Sequence, residues 1–234
     1  MLDPASQARD LDSAVAPVRR HSPLTATNEQ PDLLLIERAR AGSEQAIEAL
    51  VRRYARRLYR VARSVIADDE HAELAVQEAC IAAFGDLTRY EPTGKFAAWL
   101  TRLAYQHARA ARLPGWHSLH PAAAAPAAAG QLQERRELAQ AIEQLPQVFR
   151  TVFVLRVLEG ISGIESAASL GVHETTVRTR LYRALRRLDA DLVRSIRLQP
   201  DLMDLPAGAA QRLVAATLAH LPRSMAPGGG AAAP

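Results

Sequence analysis

Apolar residues in this 234-residue chain recur at steps of three and four, with no strand-like alternation. Leu33, Leu34 and Ile36 are followed by Ile47, Leu50, Val51, Tyr54, Leu58, Val61 and Val65. That spacing places them on one face of a helix, and a chain so patterned has to bury helix against helix. Aromatics are only 5% of the residues against 48% hydrophobic residues in all, so Ala, Leu and Val do most of the packing. Small and aliphatic side chains suit closely packed helices better than an aromatic-rich sandwich. The expected fold class is all-α.

Punctuation divides the helical pattern. Residues 1–31 carry Pro4, Pro17, Pro23 and Pro31 without periodicity and are expected to be a flexible tail. A first helical block runs over 32–113. Within it Gly42 and Ser43 separate the first two helices, with Ser43 as N-cap, and Asp68 or Asp69 caps a third that runs to about Leu87. Pro92, Thr93 and Gly94 form a turn before a fourth helix over 96–112. Residues 114–130, PGWHSLHPAAAAPAAAG, read as a flexible linker. The second block spans 131–197, and 198–234 is a partly disordered C-terminal extension with one short helix expected over 209–221. The linker offers no apolar face to weld the two blocks, so they are expected as separate helical domains.

Basic residues outnumber acidic ones 29 to 25, and Lys95 is the sole lysine among them. Arginine is the better partner for phosphates and base edges. The surplus is concentrated: residues 173–187 hold five arginines against Glu174 alone. They belong to GISGIESAASLGVHETTVRTRLYRALRRL, residues 160–188. Ser162 caps a helix from Gly163, Ala167 is small where two helices cross, and Gly171 supplies a left-handed turn. Val172 is buried after that turn, and a second helix begins near His173 or Glu174. This is the layout of a DNA-binding helix-turn-helix, whose second helix enters the major groove.

At ~100° per residue the second helix divides cleanly. Val177, Leu181, Ala184, Leu185 and Leu188 share one face; Thr175, Thr179, Tyr182, Arg183 and Arg186 lie opposite, with Arg178 and Arg180 on the flanks. Arginine bonds guanine bidentately, and threonine contacts thymine methyls or phosphates. A merely solvated face would mix Glu with Arg.

Residues 145–188 resemble region 4 of extracytoplasmic-function sigma factors, sigma-70-like proteins. The matching features are Leu145-Pro146, Leu155-Arg156, Glu159-Gly160, Leu170-Gly171-Val172 and the run 176–181. The first block resembles region 2 in ARAGSEQAIEALVRRYARRLYRVA (39–62), ELAVQEACIAAF (73–84) and GKFAAWLTRLA (94–104). The resemblance implies a region 2 helical bundle and a region 4 helix-turn-helix. It also implies binding to core RNA polymerase, through its β′ clamp helices and β flap, and to promoter DNA, with no bond chemistry and no cofactor. Anti-sigma partners are common in the family.

Carried over by position, the polymerase-binding surface includes Glu73, Gln77 and Glu78, of which Glu73 and Gln77 are i,i+4 neighbours. Recognition of the minus-ten region falls on the turn at 90–95 and the fourth helix, with Lys95, Arg102, Tyr105, Arg109 and Arg112 reaching phosphates or stacking bases. Phe96 and Trp99 are packing residues there. Reading of the upstream minus-thirty-five element falls on Thr175, Arg178, Thr179, Tyr182, Arg183 and Arg186. The alternative is a stand-alone helix-turn-helix regulator, which lacks a block such as 32–113.

Other signals are weaker. Glu70, His71 and Glu73 have no HExxH spacing, so no metal site is expected. His117 and His120 lie in the linker without carboxylates, and Cys80 sits on an apolar face as a small core residue. No P-loop, nucleophile elbow or GxGxxG occurs, so no enzyme is expected. No window approaches 18 uninterrupted apolar residues, and Asp3, Arg9, Asp10 and Asp12 are unlike a secretory signal. A cytoplasmic protein without membrane insertion is expected.

Overall fold

The computed structural model describes residues 31–91, 95–113, 116 and 133–221. The N-terminal tail, the turn at 92–94 and the linker apart from Trp116 lie outside them, as do His117, His120 and the end of the C-terminal extension. Helix α1 covers Asp32–Arg40, α2 Glu44–Arg63, α3 Asp69–Gly85 and α4 Phe96–Ala110. In the second block α5 is Gln133–Glu143 and α6 is Gln147–Phe153, which continues as a π turn over Val154–Leu158. Helices α7 Gly163–Leu170, α8 Glu174–Leu185 and α9 Ala190–Leu198 follow, and α10 Ala209–Ala219 lies in the extension. Among the described residues there is no strand.

Helix starts follow the capping chemistry of the sequence. Ser43 Oγ accepts the Ala46 N–H at 3.3 Å and Asp68 Oδ1 accepts the His71 N–H at 2.8 Å. Each such cap satisfies a donor with no partner inside the helix and stabilises by about 1 kcal/mol. Helices α2, α3 and α4 pack together, with α1 against α2. The side of α3 that meets them is built from Ala72, Ala75, Val76, Ala79, Cys80 and Ala83, all fully buried. Such small side chains let the backbones approach closely. Bulk comes instead from an aromatic group at the entry to α4. The Phe96 ring lies 5.8 Å from Tyr54, 5.2 Å from Tyr90 and 5.5 Å from Trp99, which confirms Phe96 and Trp99 as packing residues.

The two helical blocks are present as expected, and in this structure they pack against each other. Helix α4 packs on α7, and one apolar cluster runs from Leu35 and Leu50 of the first block to Leu155, Leu170, Val177 and Leu181 of the second. The weld does not come from the linker, although Trp116 packs on this cluster. It comes from a second buried side of α4, where Ala97, Ala104, Tyr105 and Ala108 are covered, and from the small residues Ser166, Ala167 and Ser169 of α7. Apolar spacing marks such a face but does not say which helix covers it. The second block keeps its own cluster of Leu138, Ile142, Phe153, Val154, Ala184, Leu188 and Ile196, joined by Leu202 of the extension.

Charge reinforces the junction along one side of α2. Arg57 Nη1 lies 3.0 Å from Glu165 Oε1, Arg60 Nη1 is 2.7 Å from Glu159 Oε1, and Arg63 Nη2 is 2.8 Å from Glu143 Oε1. Beside them Ser64 Oγ donates to Thr151 Oγ1 at 2.9 Å, both residues being buried. The π turn helps to present Glu159: the Glu159 N–H reaches back to Val154 O at 3.0 Å, and Gly160 follows with φ 63°.

Candidate nucleic-acid and protein interface

The helix-turn-helix is built as the sequence predicts. Ser162 Oγ accepts the Glu165 N–H at 3.1 Å. Gly171 ends α7 with φ 65° and ψ 39°, and the Val172 N–H closes on Ala167 O at 3.1 Å. A side chain is strained in that left-handed conformation, so glycine is the residue that fits. Val172 is half-buried rather than buried, because the turn leaves part of it to solvent.

On α8 the two faces separate. Val177, Leu181 and Ala184 are buried against α6 and α7, as is Leu188 beyond the helix end, whereas Leu185 is half-buried. Thr175, Arg178, Thr179, Tyr182, Arg183 and Arg186 are all exposed. Thr179 Oγ1 bonds back to Thr175 O at 2.9 Å, and Arg178 Nη2 lies 3.9 Å from Glu174 Oε1. Arg187 leaves this face and lies over the Phe149 ring, 5.0 Å from its centroid. The exposed set is a strip of cationic and hydroxyl groups along a helix whose other side is anchored. Those are the groups that meet phosphates and base edges.

The residues assigned to the minus-ten region lie at the junction. Lys95 Nζ is 3.0 Å from Glu165 Oε2 of α7. Arg102 is exposed on α4 yet its guanidinium lies over the Gly171 turn. Arg112 donates from Nη1 to Gln147 Oε1 of α6 at 3.4 Å. Arg109 is exposed and stacks over Tyr105 at 5.8 Å. Tyr105 itself is 7% exposed in this arrangement. It is covered because α4 is packed on more than one side.

Of the α3 residues assigned to polymerase, Glu73 turns toward α10 and Glu78 toward α4, and both have partners. Glu73 receives both Nε and Nη2 of Arg212, at 2.6 and 2.7 Å. That bond holds the Arg212 guanidinium above its usual pKa, against a smaller effect of burial. Glu78 Oε2 is 3.4 Å from His107 Nδ1, and Gln77 is half-exposed. Neither Arg212 nor the arginines along α2 were visible as partners in the sequence.

His71 N and Nδ1 both approach Asp68 Oδ1, at 2.8 and 2.6 Å. Among the described residues no group of three or more His, Cys, Asp or Glu could hold a metal, and no helix is long and apolar enough to cross a membrane.

The comparisons with known proteins agree with this architecture. Residues 50–112 match the family described as Sigma-70 region 2, and residues 135–188 match Sigma-70, region 4. The ECF RNA polymerase sigma factor SigD of Mycobacterium tuberculosis is 34% identical over 190 residues, covering 73% of this chain and 87% of SigD. The RNA polymerase sigma-H factor of Pseudomonas aeruginosa is 29% identical over 185 residues, covering 71% of this chain and 95% of that protein. The ECF RNA polymerase sigma-E factor of Escherichia coli is 29% identical over 177 residues, covering 68% and 92%. Among solved structures, CnrH in complex with the cytosolic domain of CnrY superposes with a TM-score of 0.54 at 29% identity, covering 69% of this chain and 96% of that one. With regions 2 and 4 both matched in order, the chain belongs to the sigma-70 family as an extracytoplasmic-function sigma factor, a transcription initiation factor that directs RNA polymerase to promoters.

Proposed function

We propose that residues 32–113 serve as region 2 and 131–197 as region 4, joined through the linker 114–130. In this reading Glu73, Gln77 and Glu78 on α3 dock on core RNA polymerase. Thr175, Arg178, Thr179, Tyr182, Arg183 and Arg186 on α8 read the upstream element as duplex. Lys95, Arg102, Arg109 and Arg112, with Tyr105 once α4 is uncovered, take up the minus-ten region. The protein works in the cytoplasm and catalyses no reaction itself, and an anti-sigma factor is the kind of partner that would regulate it.

The observation that carries this reading is the division of α8, with Val177, Leu181 and Ala184 buried and all six candidate reading residues exposed. In this reading α4 gives up the contacts of Lys95 and Arg112 with the second block when it reads DNA. The test is run-off transcription by the reconstituted holoenzyme on promoter fragments, with gel retardation of the same fragments by the chain alone. Promoter-specific initiation that needs both chain and core polymerase supports the reading. Tight, specific retention of duplex by the chain alone, with no stimulation of polymerase, would favour the stand-alone regulator instead.

A further inference from the structure

Helix α10 lies outside both matched family regions, which end at residue 188, yet it is part of the fold. It packs on α2 and α3. Ala209, Leu213, Val214 and Thr217 are buried in that contact, and Leu205, Leu218 and Leu221 close over its edge. The start of the helix is shaped around Arg212. Gly208 stands before it with φ 76°, and a Cβ there would come within 3.1 Å of Arg212 Nη1. Arg212 Nη1 also bonds Ala207 O at 3.3 Å, so the guanidinium is held across the first turn and its fork is aimed at Glu73. The segment leading to α10 is held as well. Pro200 O accepts from both Arg56 and Arg60 of α2, Arg56 Nε is 3.3 Å from Asp204 Oδ1, and Arg135 of α5 donates to Asp201 O at 2.9 Å.

From this we infer that the C-terminal extension is a built-in competitor of core polymerase, with α10 seated on the α2–α3 face and Arg212 occupying the Glu73 carboxylate. The inference rests on the proposed role of α3 in docking polymerase. A carboxylate whose two oxygens are taken by an arginine fork has little left to offer a basic group on a partner. Leu213 and Val214 give the occupant its apolar hold. The Arg212 side chain is 54% exposed, so its ion pair is screened and exchangeable rather than permanent. Such a cover gives way to a partner that offers Glu73 a comparable cation and a larger surface. The chemistry of the occupant also describes the surface it vacates: an apolar groove of α2 and α3 rimmed by an acid, suited to an amphipathic helix with a basic residue at its edge.

The experiment keeps the full chain and introduces Arg212→Glu, which sets like charges opposite each other at Glu73. Amide hydrogen exchange over residues 209–219 and the affinity for core polymerase are both measured. The expected result is faster exchange in that segment, unchanged exchange in α2 and α4, and about five- to tenfold tighter binding to polymerase. In the natural chain, adding core polymerase should speed exchange over 209–219 to the same extent. Unchanged exchange in the variant overturns the role of Arg212 as latch. Faster exchange without tighter binding, or an α10 that stays protected in the complex, overturns the competition. Gln77→Arg is the control for the underlying reading. If it weakens polymerase binding while Arg212→Glu changes nothing, only the competition fails; if it leaves binding intact, the docking role of α3 fails with it.

Discussion

The Arg102 guanidinium of α4 lies over Gly171, close enough that a Cβ on that glycine would stand 3.1 Å from Nη2. The turn of the helix-turn-helix is thus shaped by two demands at once. One is its own φ of 65°; the other is the arginine of a helix some seventy residues away in sequence.

Gly171→Ala should therefore cost more than backbone strain alone. The left-handed conformation disfavours alanine by about 1–2 kcal/mol, and Arg102 has to move as well. Urea denaturation should place the loss near 2 kcal/mol, and Arg102→Ala combined with Gly171→Ala should recover part of it. Full additivity of the two substitutions would show that the contact carries no energy.

Arg60 is 1% exposed and its partner Glu159 is itself mostly buried. Removing the acid leaves a buried cation uncompensated, so Glu159→Ala should destabilise by about 3–5 kcal/mol. Replacing both, as Arg60→Met with Glu159→Leu, should restore most of that loss. Thermal unfolding of the two variants distinguishes the outcomes.

Arg183 and Arg186 are exposed on α8, so truncating either to alanine should leave helicity unchanged. Where the arginine bonds a base bidentately, its removal should cost ~1–3 kcal/mol and relax specificity at one base pair. Where it meets only phosphate, its removal should weaken binding evenly and lower the salt slope by about one. Holoenzyme affinity for upstream-element variants at two salt concentrations reads both; no change in any of these would remove α8 from promoter reading.

Cys80 is fully buried, and that burial pushes its thiol up to about 12. The native protein should resist thiol-modifying reagents at pH 8 and react fully once denatured. Rapid labelling without unfolding would mean that α3 opens locally.

Asp68 is drawn two ways: partial burial raises its pKa, while the backbone N–H and ring of His71, with Arg63 nearby, lower it more. A carboxyl depressed on folding adds stability that is present above its unfolded pKa of about 4 and is lost as pH falls through the folded value. Asp68→Ala should cost about 1 kcal/mol at pH 7 and progressively less in acid. Urea midpoints measured from pH 7 down to pH 3 check the trend, and a penalty constant over that range would rule out the charged cap.

The sequence made the helices legible because each carries its own local instructions. Ser43, Asp68 and Ser162 cap where they should, Gly171 turns, and Val177 with Leu181 marks the buried side of α8. Tyr105 shows where such reading stops. Its helix is apolar on more sides than one partner can cover, and spacing along a single helix does not name the second. The same holds for charge. Arg183 and Arg60 look alike in sequence, yet one is exposed and the other is buried on Glu159, because their difference is made by residues far along the chain.

Arg60 sends one nitrogen to Glu159 of the second block and the other to Pro200 O of the extension. One side chain thus touches both of the parts that the proposed opening moves. Lifting the helix-turn-helix removes one of its two partners, and peeling back the extension removes the other. Thermodynamic linkage makes such effects reciprocal: whatever loosens one attachment lowers the free energy needed to undo the second. Opening then behaves less like two dials than like one threshold, crossed together.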